Sequence, residues 1–321
     1  MKEIGGYFGL EQFHGREYYP DLVAVNNGRN ALLYILKARE IEKVYLPYFL
    51  CDSVTALCDR EGYAWEYYHT GEDFLPVFDK TLGPREYLYV VNYYGQITGE
   101  KVRALKERYG NMILDNAQAF FQRPVEDIDT IYSCRKFFGV PDGGYLFTSQ
   151  RLKEELQTDV SKDRMKHVLG RFEGESASLY YGDFKENDRS FRTLELRAMS
   201  ALTHNLLRAI DYDAAREKRE QNYLVLAERL GTRNKLRLNM PAGPFAYPFY
   251  CENGPQVRKA LAEKGIFVAT LWPNVLQEEG AVLEKEYAEN ILPLPCDQRY
   301  DENDMAFVAK QVCGILDNDA E

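Results

Sequence analysis

The chain has 321 residues, 45% of them hydrophobic and 28% charged, and its 40 basic and 50 acidic side chains leave a net charge of −10. That is the profile of a soluble, enzyme-sized globular protein with one large domain and a smaller companion, and its diffuse acidity argues against nucleic acid or an anionic membrane as principal partner. No apolar run reaches the ~20 residues of a spanning helix, and the start, MKEIGGYFGLEQF, has no signal-peptide pattern. The six cysteines show no CxxC pair or metal-ligand spacing, so a reduced, cytoplasmic setting without a metal site is expected.

In chain order, a helix is predicted over Arg29–Arg39, a strand over Lys43–Leu46, a helix over Asp52–Arg60 and strands over Ala64–Tyr68 and Tyr87–Asn92. A helix over Glu100–Tyr109 and strands at Met112–Leu114, Asp129–Tyr132 and Gly144–Thr148 follow. This alternation signals βαβ units and a mostly parallel sheet flanked by helices. From Phe191 to Leu230 the pattern is long, charged and helical. Beyond it come a strand at Phe245–Cys251, a helix at Gln256–Lys264, a strand at Ile266–Ala269 and a closing helix at Asp301–Leu316. The expected division is a large α/β domain over residues 1–205, then a long helix and a small C-terminal α/β domain over 206–321.

Open α/β sheets bind ligands beyond the carboxyl ends of their strands. Pro47-Tyr48-Phe49-Leu50-Cys51, Tyr93-Tyr94-Gly95-Gln96, Asp115-Asn116-Ala117-Gln118 and Ser133-Cys134-Arg135-Lys136 all follow predicted strands, and Asn27-Gly28-Arg29 precedes the first helix. An acid, an amide, hydroxyls, a lysine and a glycine turn thus converge on one edge. Asp115 alone reads as a turn residue, Lys136 alone as a solvated lysine and Gly28 alone as a turn glycine; only the set carries weight. The chain contains no GxGxxG, no GxxxxGK[ST] and no Gly-x-Ser-x-Gly, which disfavours a dinucleotide site, a P-loop and a serine hydrolase. Pyridoxal phosphate (PLP) chemistry needs this set: a lysine for a Schiff base, an acid facing the pyridine nitrogen and a helix N-terminus for the phosphate. The lysine has to be partly desolvated, since only its neutral amine attacks a carbonyl.

At these residues the sequence resembles the DegT/DnrJ/StrS-type sugar aminotransferases over nearly the whole chain. Asn27-Gly28-Arg29-Asn30-Ala31-Leu32 is similar to the family's Ser-Gly-Thr-Ala-Ala-Leu phosphate turn, and Val91-Asn92-Tyr93-Tyr94-Gly95-Gln96 to its Val-His-Leu-Tyr-Gly-Gln. Leu114-Asp115-Asn116-Ala117-Gln118-Ala119 resembles Glu-Asp-Ala-Ala-Gln-Ala, and Lys136 with Gly139 and Asp142-Gly143-Gly144 resembles the Lys…Gly-Glu-Gly-Gly segment. Gly265-Ile266 and Leu292-Pro293-Leu294-Pro295 are similar to its small-domain signals.

The resemblance implies the PLP-dependent transferase fold (aspartate-aminotransferase, fold type I), with PLP as cofactor and Lys136 as the Schiff-base lysine. It further implies that Asp115 contacts the pyridine nitrogen, Gln118 the ring, Gly28 and Arg29 the phosphate, and Tyr94 the substrate. It implies amino transfer from glutamate to a nucleotide-linked keto sugar for polysaccharide or small-molecule glycosylation, by a homodimer with the site at its interface. Three departures stand out. Ile131 occupies the place of the phosphate-binding Ser five residues before the lysine, so Ser133 and Arg135 have to compensate. Cys51 aligns with the ring-stacking aromatic, leaving Tyr48 or Phe49 to stack, and the Asn that reaches the neighbouring subunit's phosphate aligns near Ser190, with Asn187 close by. The competing readings are a PLP-dependent sugar dehydratase, disfavoured because that branch replaces the lysine by histidine, and a non-catalytic relative that binds PLP or a sugar nucleotide.

Overall fold

The computed structural model describes residues 4–174 and 176–318. The first half contains β1 (Val23–Val25), α1 (Gly28–Ala38), β2 (Lys43–Pro47), α2 (Asp52–Glu61), β3 (Ala64–Thr70), β4 (Pro76–Val77), β5 (Glu86–Val91), α3 (Gly99–Tyr109), β6 (Met112–Asp115), β7 (Asp129–Ser133) and β8 (Gly144–Phe147). After them come α4 (Lys166–Phe172), α5 (Tyr181–Ser190), α6 (Ala201–Leu207), α7 (Tyr212–Leu230), β9 (Tyr247–Tyr250), α8 (Gly254–Glu263), α9 (Val282–Asn290), β10 (Ile291–Leu294) and α10 (Glu302–Asn318).

Eight strands form one sheet in the order β1-β8-β7-β6-β5-β2-β3-β4. Strands β3, β2, β5, β6 and β7 pair in parallel, and their middle members are near-continuous apolar runs such as Tyr87–Val91, as expected of strands covered on both faces. β8 runs antiparallel to β7 and to β1. The double reversal points β1 the same way as β7, so the Asn26–Gly28 turn leaves the sheet at the edge where β2, β5, β6 and β7 also end.

Helix α1 starts there because the Asn27 side chain accepts the Asn30 N–H at 2.9 Å while the Asn27 carbonyl takes the Ala31 N–H at 3.0 Å. From Asn30 to Leu36 every residue of α1 is buried, which makes it an interior helix packed on β7 and β8. A separate core at the C-terminal end gathers Leu226 and Leu230 of α7, Phe249 of β9, Leu261 of α8, Leu292 and Leu294 of β10, and Met305 and Val312 of α10.

The structure departs from the sequence expectation in several places, strand β4 and helix α9 among them. Strand β1 was not anticipated, being only three residues long. The expected Phe191–Leu230 helical run is interrupted: Ser200 caps a new helix, α6, through its hydroxyl and is itself pinned by the Asp142 carboxylate. Short helices α4 and α5 precede that run. In the C-terminal unit Ile266–Ala269 is not a strand; β9 pairs antiparallel with β10 instead. A proline inside a short run normally demotes it, but here Pro293 lies opposite Pro248, so both missing donors fall on one rung.

Gly144 is a fixed point of this arrangement. A Cβ there would lie 2.8 Å from the carbonyl carbon of Asn27 and 3.0 Å from the nitrogen of Gly28, both backbone atoms. Gly144→Ala is therefore expected to lower unfolding free energy by ~1–3 kcal/mol through overpacking, measured by urea denaturation; unchanged stability would mean that the turn yields freely.

Candidate active site

A cavity of about 360 Å3 opens at the carboxyl edge of the sheet. Asn27, Gly28 and Arg29 from the start of α1, Asp115, Ala117 and Gln118 after β6, and Ser133, Arg135 and Lys136 after β7 all line it. The residues to which the resemblance assigns cofactor roles are thus brought together, but Tyr94, its substrate residue, is not among them. Tyr94 is buried 1% exposed in the core near Phe74, in a left-handed conformation (φ 53°), and reaches the site only by donating its backbone N–H to Gln118 Oε1 at 2.8 Å.

One end of the cavity is built for an anion. Capping uses the N–H groups of Asn30 and Ala31, leaving those of Gly28 and Arg29, at the positive end of the helix dipole, without an intrahelical partner. Gly28 lies against Ser133: its Cβ position is 3.8 Å from the Ser133 side chain. The Arg29 guanidinium makes no hydrogen bond or ion pair with the described residues, and burial pulls its pKa below the ordinary arginine value while Asp188 pulls the other way. Arg135 stacks on Phe191 at 4.2 Å and faces Asp188 at 3.5 Å, and burial lowers it to about 10, so it too stays charged at neutral pH. Arg192, paired with Asp52 at 3.1 Å, adds a third cation. Ile131 lines the wall without a donor.

The lining also offers an acid and an amide. Asp115 closes β6; its carboxylate accepts from the Tyr89 hydroxyl at 2.7 Å and from the Ala117 N–H at 2.7 Å. Burial raises its pKa above the ordinary aspartate value, opposed by Lys136 and by these two hydrogen bonds. Gln118 is 2% exposed; its Oε1 is taken by the Tyr94 N–H, but its Nε2 has no partner. A buried amide donor without an acceptor costs ~1–3 kcal/mol, and a ligand atom in the cavity would remove that cost. Lys136 stands at the rim, exposed, with its ammonium 5.7 Å from the Phe245 ring. The single chain therefore leaves this amine solvated, where the sequence argument asked for desolvation.

Neither expected stacking residue lines the cavity. Tyr48 stacks on Tyr67 at 4.4 Å, and Phe49 is fully buried against Tyr93 at 5.1 Å. Cys51 faces the cavity, and the aromatics that line it are Tyr89, Phe184 and Trp272, the last set in a left-handed turn and packed edge-on against Phe49 at 4.5 Å. Asn187 and Ser190 turn away, Asn187 donating to the Pro141 carbonyl at 3.2 Å and Ser190 to the Asn187 carbonyl at 2.7 Å. Their neighbours Phe184, Asp188 and Arg192 line the cavity instead. Sequence reasoning missed these three, together with Trp272 and Tyr89. A Trp in a Trp-Pro loop was the one available signal for Trp272, whereas Tyr89 lay hidden in a strand.

No family model matches the chain, and no curated protein is similar to it at the level of sequence. In fold it is similar to a DegT DnrJ EryC1 StrS aminotransferase from Brucella abortus, with 18% identity and TM-score 0.60 over 92% of this chain and 85% of that one. It is likewise similar to NtdA from Bacillus subtilis, which carries bound cofactor PMP, with 15% identity and TM-score 0.65 over 92% and 73%. The sugar aminotransferase CalS13 from Micromonospora echinospora matches with 16% identity and TM-score 0.60 over 91% and 87%. The chain has the fold these aminotransferases share.

Because burial disfavours the ionised Asp115, Asp115→Asn is expected to stabilise the ligand-free protein at pH 7 by on the order of 1 kcal/mol. A raised folded-state pKa contributes stability below the unfolded value and loses it as pH rises through the folded one, so the gain should shrink toward pH 4. Urea titrations between pH 4 and 8 check this; a variant less stable at pH 7 would mean that the lost bonds to Tyr89 and Ala117 outweigh desolvation.

Proposed function

We propose that the chain is a PLP-dependent aminotransferase that moves an amino group from glutamate to a nucleotide-linked keto sugar. The observation that carries the reading is the single cavity in which an unsatisfied amide donor, a buried acid, a lysine and a helix start beside an unpaired arginine meet. Those groups match PLP in kind: cations and free N–H groups for the phosphate, a carboxylate for the ring nitrogen, an amide donor for the ring's oxygen and an amine for the aldehyde. Bound PLP supplies a carbonyl that condenses with amines and a ring that withdraws electrons from the substrate carbon.

This chain's residues do the rest. The N–H groups of Gly28 and Arg29, the Arg29 guanidinium and the Ser133 hydroxyl hold the phosphate, Arg29 acting as a permanently charged clamp where Ile131 offers no donor. The Asp115 carboxylate, aimed by Tyr89 and Ala117, holds the proton on the ring nitrogen. Gln118 Nε2 donates to the ring oxygen. Lys136 Nζ is the amine that would hold the cofactor's aldehyde and, when free, would carry the proton at the reacting carbon. A homodimer whose second copy covers Lys136 and excludes water from the rim belongs to the same proposal, as does a reduced cytoplasmic setting in keeping with six free cysteines.

Lys136→Ala is expected to fold normally, since the residue is exposed, and to form no borohydride-reducible adduct with PLP; persistence of an adduct in the cavity would overturn the assignment of the lysine. Arg29→Ala is expected to weaken PLP binding roughly 10- to 100-fold, the effect of losing one charged contact at ~1.4 kcal/mol per decade. A PLP titration of the apo-protein reads this, and an unchanged dissociation constant would show that Ser133 and Arg135 hold the phosphate without it.

A further inference from the structure

The three aromatic side chains that line the cavity differ in how much ring each has to offer. Tyr89 is 1% exposed within β5, and its hydroxyl is committed to Asp115 at 2.7 Å. Phe184 stands on α5, 44% exposed, with Tyr181 stacked on it at 6.3 Å. Trp272 is half-buried and meets two ring neighbours edge-on, Phe49 at 4.5 Å and 84° and Tyr93 at 5.5 Å and 75°. Neither of them stacks on the indole.

The loop that carries Trp272 is fastened at several points. Asn274 donates its side-chain amide to the Leu50 carbonyl at 2.9 Å, next to Cys51, and the Tyr67 hydroxyl donates to Glu278 at 3.2 Å. Val275 is fully buried, and Leu271 and Leu276 pack with it on the core that contains Phe49, Leu50 and Val54. Trp272 itself holds φ 53° and ψ 58°, the left-handed region that bulky residues avoid. A conformation of this kind persists only where the surroundings over-determine it, and such residues cluster at ligand clamps. Here the fastenings keep the indole in the wall that Leu50, Cys51 and Asp115 also line.

A flat heteroaromatic ligand needs a flat apolar surface as well as polar handles. Asp115, Gln118 and Lys136 address atoms on the edge of such a ring, and none of them covers a face. Aromatic pairs attract beyond the area they bury, most of all in offset stacks. Resting on the aminotransferase reading of this cavity, we infer that Trp272 is the residue that holds the face of the cofactor's pyridine ring. It handles no proton; it orients the ring so that the nitrogen meets Asp115 and the aldehyde meets Lys136.

The chain has two tryptophans, and Trp65 lies outside the cavity, its indole N–H donated to Asp59 at 2.8 Å. Trp65→Phe therefore leaves Trp272 as the only indole reporter. Saturating that variant with PLP is expected to quench most of its tryptophan emission, because the cofactor absorbs where indole emits. Trp272→Leu keeps an apolar group against Phe49 but presents no ring. It is expected to weaken PLP binding roughly 3- to 10-fold, the affinity equivalent of one aromatic pair, and to diminish the circular dichroism of the bound cofactor. Trp272→Phe is expected to restore both. A residue that only staples the loop would lower the urea stability of Trp272→Leu and leave its PLP dissociation constant and dichroism at the wild-type values. That result overturns the inference, as does unquenched emission from PLP-saturated Trp65→Phe, and in either case PLP held on Lys136 leaves the aminotransferase reading standing. A wild-type protein that takes up no PLP sinks that reading and the inference with it.

Discussion

The backbone of Asn27 comes within 2.8 Å of the place where a side chain on Gly144 would begin, and this approach sets the site's geometry. It is possible because β8 runs against both β7 and β1, which brings the turn after β1 beside the end of β7. The same turn is held from behind: the Gly143 N–H donates to the Asn26 carbonyl at 2.7 Å, and the Asn30 amide bonds the Asn26 side chain at 2.7 Å and the Glu195 carbonyl at 2.8 Å. A helix start fixed on so many sides can present two N–H groups and an arginine at one spot without reorganising when an anion arrives, which is the structural meaning of preorganisation.

That rigidity supports groups which are individually unfavourable. Asp115 is buried and penalised for its charge, the Gln118 amide donor lacks an acceptor, and Arg29 and Arg219 carry charge into places with no carboxylate bonded to them. In a marginally stable protein such groups cost folding energy, and a ligand that pairs those lining the cavity recovers part of that cost. Asp115, Gln118 and Arg29 line one cavity with Lys136.

Much of this was legible in the sequence, because strand ends in an α/β sheet announce themselves. Asp115, Gln118, Ser133 and Lys136 each follow an apolar run, and parallel pairing forces all those ends to one edge. The Asn27–Gly28 turn was recognisable from its glycine before the first predicted helix even though β1 itself was too short to detect. What failed depends on longer-range packing. Trp272 enters from a loop near the C-terminal unit, more than 130 residues beyond Lys136, and no local period marks it. Arg192 and Asp188 reach the cavity because α5 folds over it, and a polar ten-residue helix gives no hint of what it covers. The resemblance gave Tyr94 a substrate role, but the chain turns its side chain into the core and keeps only its N–H near Gln118.

The central claim is that one cavity holds PLP so that an amino group can be exchanged through it. Its most direct test is to load the purified protein with PLP, add glutamate without any acceptor, and follow the cofactor's absorbance. The account predicts that bound PLP converts to the pyridoxamine form with one equivalent of 2-oxoglutarate released, and that a keto acid reverses the change. PLP bound on Lys136 with no conversion by glutamate or any other amino acid would contradict it.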